Sequence, residues 1–598
     1  MRVPCRFPAS HRRPGFAFTS AGGSARLRAR GAARRRMGAA SPTGCIVART
    51  QRGFRNGLLV AGLVAAAGST TPAHVGTSNA YFDGAAGPYQ VRVIVRTPGV
   101  IPGLAQASVR ILGGEGVERV TVRPLRSDVG IEGAPPPDVA GPVPGERGLY
   151  SAELWLMTAG SYSVEVGVAG TEGQGTVFVP VLAVAERRLA MDPAFSVGLA
   201  AAGLFLFVGA VTIVGAAVRE SGLEPGAEPD VRSRWKGRFA MAGFTIVLGA
   251  FVVGGRIWWD AVDAAYRSRM YRPWNTTAEV SATGGTRLLT LAIDDADWRA
   301  IEGLPDAGLL PDHGKLMHMF LVRRDDMSAF AHVHPVREGR DRFTVALPPL
   351  PAGEYRIYAD IVLGNGFAPT LVNTAHVPLP GSAAGGQSQV TGDSRAAGES
   401  RTAGTRLQPV DPAPDPDDSW AALVPHGVSR SADYALPSGR TVRWERGGPL
   451  DVDEETTLRF SVSEPDGSPS VLEPYMGMLG HAAVLRDDGS VFVHLHPAGS
   501  INLTAQMRFA AAEGALAGAG PVSGDAQDAI APDDVRAGMM PAETHEGRVH
   551  AAQRPTNQVT FPFVFPEPGD YRIVVQVKVG AAVETAAFDV EAGESSPS

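Results

Sequence analysis

A short pattern of metal-ligating side chains occurs twice in the 598-residue chain. One copy runs Leu316-Met317-His318-Met319-Phe320-Leu321-Val322, then Phe330-Ala331-His332-Val333-His334-Pro335. The other runs Tyr475-Met476-Gly477-Met478-Leu479-Gly480-His481, then Phe492-Val493-His494-Leu495-His496-Pro497. In each copy Met and His share an apolar run, a charged turn follows, and His-x-His-Pro sits on a second run. Alternate residues of a strand point to one face, so each His-x-His aims two imidazoles the same way. A paired strand adds a third imidazole. Imidazole with thioether is a ligand set that suits copper.

The positions follow from hairpin register. Leu316–Val322 and Phe330–His334 flank a turn at Arg323–Ser328. Pairing Val322 with Phe330 sets His318 opposite His334, and pairing Leu485 with Phe492 sets His481 opposite His496. The expected ligands are therefore His318, His332 and His334 in one hairpin and His481, His494 and His496 in the other. Each trio is expected to serve its own domain, on the face opposite the packing core. Met317, Met319, Met476 and Met478 are secondary candidates. By parity Met317 and Met319 face away from His318, whereas Met476 and Met478 flank Gly477, where a bulge can turn one inward. His313, His376, His545 and His550 are expected to be solvated, with His313 at most a lid ligand. A plainer alternative is half-exposed strand histidines beside ordinary Met packing. Seven aligned features within one chain favour metal.

Composition narrows the chemistry. The only cysteines are Cys5 and Cys45, so disulfides, thiolate zinc sites and Cys nucleophiles are not expected in the folded body. The net charge of −6 and the lack of a basic–aromatic stripe give no case for nucleic acid. No Gly-x-Ser-x-Gly, Gly-Lys-Ser/Thr or His-Glu-x-x-His motif is present, so the chain is not expected to be an enzyme.

The supporting elements read as mostly β. The chain is too long for one core, and strand-like runs rich in Val, Ile, Thr and Tyr recur between 72 Gly and 47 Pro. Three segments end on Gly-x-Tyr followed by alternating apolar residues: Gly160-Ser161-Tyr162, Gly353-Glu354-Tyr355 and Gly569-Asp570-Tyr571. Three immunoglobulin-like β-sandwiches of one ancestry are expected, at residues 74–190, 276–380 and 430–592. Residues 381–429 read as a flexible linker and 510–556 as a loop insertion.

Two apolar segments, residues 193–218 and 239–259, are expected to be transmembrane helices, the second ending on Trp258 and Trp259 at the interface. The Arg-bearing loop 219–238 between them reads as cytoplasmic, which leaves the sandwiches extracytoplasmic at the cell membrane. Residues 1–73 read as an Arg-rich extension followed by a signal-like segment. Cleavage after Ala73 would make His74 the mature N-terminus, where its amino group and ring could chelate copper.

The His/Met hairpins at Met317–Pro335 and Met476–Pro497, with the Gly-x-Tyr strands, resemble the periplasmic immunoglobulin-like domains of the YtkA-like and CopC-like copper-resistance families. That resemblance implies a β-sandwich and copper carriage. The CopC-like ligand pattern uses a mature N-terminal His, for which only His74 is placed. The leading expectation is a membrane-anchored extracytoplasmic protein that buffers or delivers copper, or a related transition metal, beside a membrane transporter or metalloenzyme. The alternatives are an immunoglobulin-like scaffold or transporter accessory with incidental histidines, and a copper redox enzyme.

Overall fold

Alternation sets the strands. Tyr89–Arg96 buries Tyr89, Val91, Val93 and Val95 while Gln90 faces water, and Gly103–Gly113 buries Ala105, Ala107 and Val109. The computed structural model describes residues 79–594 apart from 225, 284–285, 302–307, 381–414 and 519–555. All of these belong to one compact unit, Pro72–Ser598. Cys5, Cys45, the signal-like segment, His74, His545 and His550 lie outside the described residues.

The chain is mostly β, with several antiparallel sheets. A five-stranded sheet led by Ala80–Ala86 and Tyr89–Arg96 faces a four-stranded sheet containing Gly160–Gly170, around a Val-rich core. A second pair joins the sheet of Thr276–Thr283 and Thr286–Ile293 to the sheet carrying His318–Arg323. A third joins the sheet of Thr441–Trp444 and Thr456–Ser463 to the sheet carrying His481–Arg486. Each Gly-x-Tyr motif opens a strand in one of these pairs, with Gly160, Gly353 and Gly569 at φ of 150°, 150° and 143°. The hydroxyls of Tyr355 and Tyr571 donate to the carbonyls of Pro351 and Glu567 four residues back, at 2.8 and 2.7 Å. The Tyr162 hydroxyl also meets the residue four back, accepting the N–H of Thr158 at 3.3 Å and lying 3.0 Å from its hydroxyl. A tyrosine thus pins the same corner three times, which needs both the Gly and the Tyr of the motif.

The two hairpins have the expected register. Hairpin A pairs His318–Arg323 with Ala329–Val333, Val322 opposite Phe330. Hairpin B pairs His481–Arg486 with Phe492–Leu495, Leu485 opposite Phe492. Hairpin A is buried on both faces. Met319 and Leu321 point into their own sheet pair, whereas Phe320 and Val322 point outward. The outward faces of the two hairpin sheets pack on each other through Phe320, Phe330, Tyr358, Leu485, Phe492 and Val574. Tyr358 and Phe492 stack with centroids 4.3 Å apart. The expectation that this face is free of packing is corrected: it is a second core, because its aromatic residues must be covered.

Two further expectations change. Inside 381–429, the strand Ser419–Ala422 adds to the free edge of hairpin A, so this end of the linker is structured. A helix, Leu503–Gly518, opens the segment read as a loop insertion.

Helix α1 spans Pro193–Glu220 and α2 spans Val231–Arg267. The side chains of Asp192 and Asp230 accept the N–H groups of Phe195 and Ser233, capping orphan donors. Both helices are long and apolar enough to cross a membrane by length and composition. They pack closely where Gly237 meets Gly215; a Cβ on Gly237 would lie 2.9 Å from the Gly215 carbonyl oxygen. Their outer ends are tied to the first sheet pair, where Arg188 bonds Asp263 at 2.8 Å and the N–H of Tyr271 donates to Ala185 at 2.8 Å.

Candidate metal centre

Packing the two hairpins face to face brings their histidines into one cluster. In hairpin A the ring centroids of His318–His332, His318–His334 and His332–His334 are 5.4, 5.1 and 4.8 Å apart. In hairpin B the equivalent pairs, His481–His494, His481–His496 and His494–His496, are 5.5, 5.2 and 4.4 Å apart. The trios match and face one another: His332 lies 6.1 Å from His481 and 5.7 Å from His494. Two independent sites, one per domain, had been expected. The cross-hairpin geometry is a single composite cluster instead.

A seventh imidazole joins it. His313 was expected to be solvated, yet its side chain is only 5% exposed. It belongs to hairpin A's own domain but lies 5.0 Å from His496 and 6.0 Å from His481. It occupies a two-residue turn, Asp312-His313-Gly314-Lys315, with φ of 48° at His313 and 80° at Gly314. Positive φ at both central positions is the type I′ signature, and it carries a cost for any residue with a Cβ. Two groups of nitrogens lie within mutual reach of one ion, His318, His332 and His334, and His313, His481 and His496. His494 sits between them.

Surrounding groups orient the rings. His332 Nδ1 lies 3.1 Å from Gln576 Oε1, and the Gln576 amide nitrogen is engaged with Ser419 at 2.6 Å. His494 Nδ1 lies 3.4 Å from Asp360 Oδ2. Gln576 and Asp360 hold equivalent places, each paired across the sheet with the first His of its hairpin strand, His481 and His318. His334 donates from its main-chain N–H and from Nδ1 to Asp418, at 2.8 and 3.0 Å. Such partners fix a ligand ring and its tautomer.

The ring nitrogens meet at close range. The Asp312 carbonyl can only accept, so His318 Nε2, 3.0 Å away, carries the hydrogen and His318 Nδ1 is left as an acceptor. It faces His332 Nε2 at 3.2 Å, and the tautomer of His332 follows the way the Gln576 amide is turned. Burial pushes both rings well below the usual histidine range, with the neighbouring His494 and His334 adding to the effect. The separation of the facing nitrogens also suits two ligands of one ion. Two nitrogens about 2 Å from one ion at a tetrahedral angle lie about 3.3 Å apart. Both nitrogens of His481, and Nε2 of His313, His334 and His494, are buried with no hydrogen-bond partner among the described residues, while His496 meets the Ile501 backbone. Burial, then the neighbouring imidazoles, holds His481 and His496 well below their ordinary value too. His313 is lowered by burial, against the pull of Asp312. Unsatisfied buried donors and acceptors cost about 1–3 kcal/mol each, so a cluster of this size calls for partners.

A cavity of about 150 Å³ reaches this cluster, lined by Asp312, His318, Asp360, His494, His496 and Asn502 among others. Polar and apolar side chains share its wall.

The methionine candidates divide. Met317 and Met319 are fully buried in their own sheet-pair core, on the face away from the histidines, as parity required. Met476 and Met478 lie in a turn, Tyr475-Met476-Gly477-Met478, beside hairpin B. His376 is exposed and pairs with Glu354, as expected of a solvated residue. Sequence reasoning missed the roles of His313, Asp360, Gln576 and Asp418. A signal for His313 was present: His313-Gly314 precedes His318 by the same five positions as Met476-Gly477 precedes His481.

Residues 435–518, which contain hairpin B, match a family model described as a domain of unknown function, DUF8832. No curated protein matches the chain. Solved structures with similar folds include the fibronectin(III)-like modules of Clostridium thermocellum CbhA. They share 8% identity over 48% of this chain and 92% of that one, with a TM-score of 0.18. The chicken CNTN1 FN1–FN3 domains share 8% identity over 84% and 97%, with a TM-score of 0.12. At such scores the likeness carries no functional argument.

Proposed function

We propose that this chain is a membrane-anchored, extracytoplasmic copper-binding protein of three immunoglobulin-like sandwiches. It buffers or hands on the ion from a composite histidine centre between the second and third sandwiches, beside a membrane transporter or metalloenzyme. The YtkA-like or CopC-like kinship belongs to the same proposal. The observation that carries it is the approach of His318 Nδ1 and His332 Nε2 to 3.2 Å within a buried cluster of ring nitrogens, most of them without a partner among the described residues. A scaffold with incidental histidines gives no return for that desolvation. Imidazole serves several transition metals, and among divalent ions Cu²⁺ binds such nitrogen sites most strongly. Neutral rings are the ligating form, so His318, His332, His481 and His496, which burial holds well below the usual histidine range, are ready to bind without first losing a proton. The cavity at His318, His494 and His496 leaves the centre open to exchange, as a carrier requires. Asp312 and Asp360 on its wall offer the entering cation negative charge.

Copper titration of the detergent-solubilised full chain against a competing chelator tests this. Two copper equivalents are expected. His332→Ala with His334→Ala removes one, and His494→Ala with His496→Ala removes the other. His313→Ala weakens the second site although it lies in the other sandwich. Unchanged stoichiometry in all these variants would return the chain to the scaffold reading.

A further inference from the structure

The two halves of the centre are related by an approximate two-fold exchange of the hairpins, and one position breaks the equivalence. The exchange takes His318 to His481, His332 to His494, His334 to His496 and Asp360 to Gln576, as the paired distances show. It also takes the turn Asp312-His313-Gly314-Lys315 to Tyr475-Met476-Gly477-Met478. The turns share their closing bonds: Asp312 with Lys315 at 2.9 and 2.9 Å, Tyr475 with Met478 at 2.6 and 3.2 Å. They share their dihedrals too, φ being 48° and 80° at His313 and Gly314, 50° and 78° at Met476 and Gly477. His313 uses this turn to reach across the interface to the opposite trio. Met476 holds the equivalent place, on a turn that flanks hairpin A's trio. Its neighbour Tyr475 lies between the trios, 5.2 Å from His481 and 6.5 Å from His332, and donates to the Asp417 carbonyl at 2.8 Å, next to the Asp418 that holds His334. Met478 corresponds to Lys315, whose amine binds the carboxylates of Asp415 and Asp417 and no imidazole of the opposite trio, unlike His313. A Met in the left-handed region is costly where Asn or Gly would turn the chain more easily. The strain has a use if the side chain itself is needed there.

Resting on the metal-centre reading, we propose that Met476 gives its thioether to the side formed by His318, His332 and His334. His313 makes the side of His481, His494 and His496 all-imidazole. The centre then has two unequal seats. The mixed nitrogen–thioether seat selects Cu(I), and the imidazole seat of His313, His481 and His496 favours Cu(II).

Silver(I) serves as a redox-inert probe for Cu(I), and Cu(II) is titrated separately on the full chain in detergent. Leu fills nearly the volume of Met, so Met476→Leu keeps the packing. The wild type is expected to bind Ag(I) tightly at one seat. Met476→Leu weakens that binding tenfold or more and leaves Cu(II) affinity at the other seat unchanged. Met476→His, which copies His313, keeps the Ag(I) loss and strengthens Cu(II) binding at the altered seat. X-ray absorption of the Cu(I)-loaded wild type shows a sulfur neighbour that Met476→Leu lacks. If Met476→Leu binds Ag(I) like the wild type, while His332→Ala with His334→Ala does not, the thioether assignment falls and the metal centre stands. If the wild type binds neither ion, both fall.

Discussion

At the scale of single residues, the buried imidazoles have a consequence for stability. His318, His332, His481 and His496 are held well below their ordinary pKa by burial first and neighbouring imidazoles second. An unfolded histidine takes up its proton near pH 6.5, so on acidification the unfolded state binds protons that the folded state does not. Stability is therefore full above about pH 6.5 and falls steadily as pH drops below it. Carboxylates such as Asp415 and Asp326 are held below the usual carboxylate range by their hydrogen bonds and neighbouring cations, so the window from pH 7 to 5 chiefly reports the histidines. Denaturant midpoints of the metal-free chain should decline across that window, and saturating copper should flatten the decline at its upper end. A midpoint constant between pH 7 and 5 would mean the rings are not buried in the neutral form. The grouping of the imidazoles within hairpins A and B was legible in the sequence because period-two spacing is local. His313 was not, since its place depends on a turn whose partner lies more than 150 positions away.

At the scale of elements, the hairpins must do two things with one face: pack the sheets together and hold the rings. The aromatic end of the face, Phe320, Phe330, Tyr358 and Phe492, supplies the packing, and the imidazole end begins directly above it. Phe320 stacks on His332 at 4.2 Å and touches the edge of His494 at 4.8 Å, so the apolar contact also sets ring positions on both sides. Arg572 fixes the same junction, donating to the Met327 carbonyl at 2.7 Å while paired with the buried Asp589. Phe492→Ala should cost about 3–5 kcal/mol, the usual range for emptying an aromatic from a core. It should also weaken copper at both seats, since they share the interface. Calorimetric unfolding together with copper competition measures both effects. Loss of stability with copper affinity intact would show that the centre does not depend on the sheets meeting. Strand register and the Gly-x-Tyr corners were readable from the sequence, because alternation and one turn residue fix them. The meeting of the outward faces was not. Phe320, Phe330 and Phe492 look like ordinary core positions until both sides of the strand prove to be covered.

At the scale of the molecule, the first sheet pair and the helices acquire a place in the argument. The turn after His496 is held against the first strand: the N–H of Asp83 donates to Ala498 at 2.8 Å and that of Ser500 to Tyr81 at 3.0 Å. A Cβ on Gly499 would lie 1.9 Å from the Tyr81 carbonyl oxygen, so only Gly allows that approach. Arg92 and Arg110 both reach Glu455, at 2.9 Å each, and tie the same sheet pair to the third. The pair without a His-x-His thus buttresses one ligand loop and, through Arg188 and Asp263, links the centre's frame to the helices. None of these long-range contacts leaves a local sequence pattern, which is why the sequence assigned the first sheet pair no role. The central claim is that residues from both hairpins share one metal centre. Diffraction from copper-soaked crystals of the full chain, recorded on both sides of the copper absorption edge, tests it most directly. The account predicts anomalous density inside the cluster of His313, His318, His332, His334, His481, His494 and His496, with ligands from both hairpins. Copper density only at other sites, or none within the cluster at full loading, would contradict it.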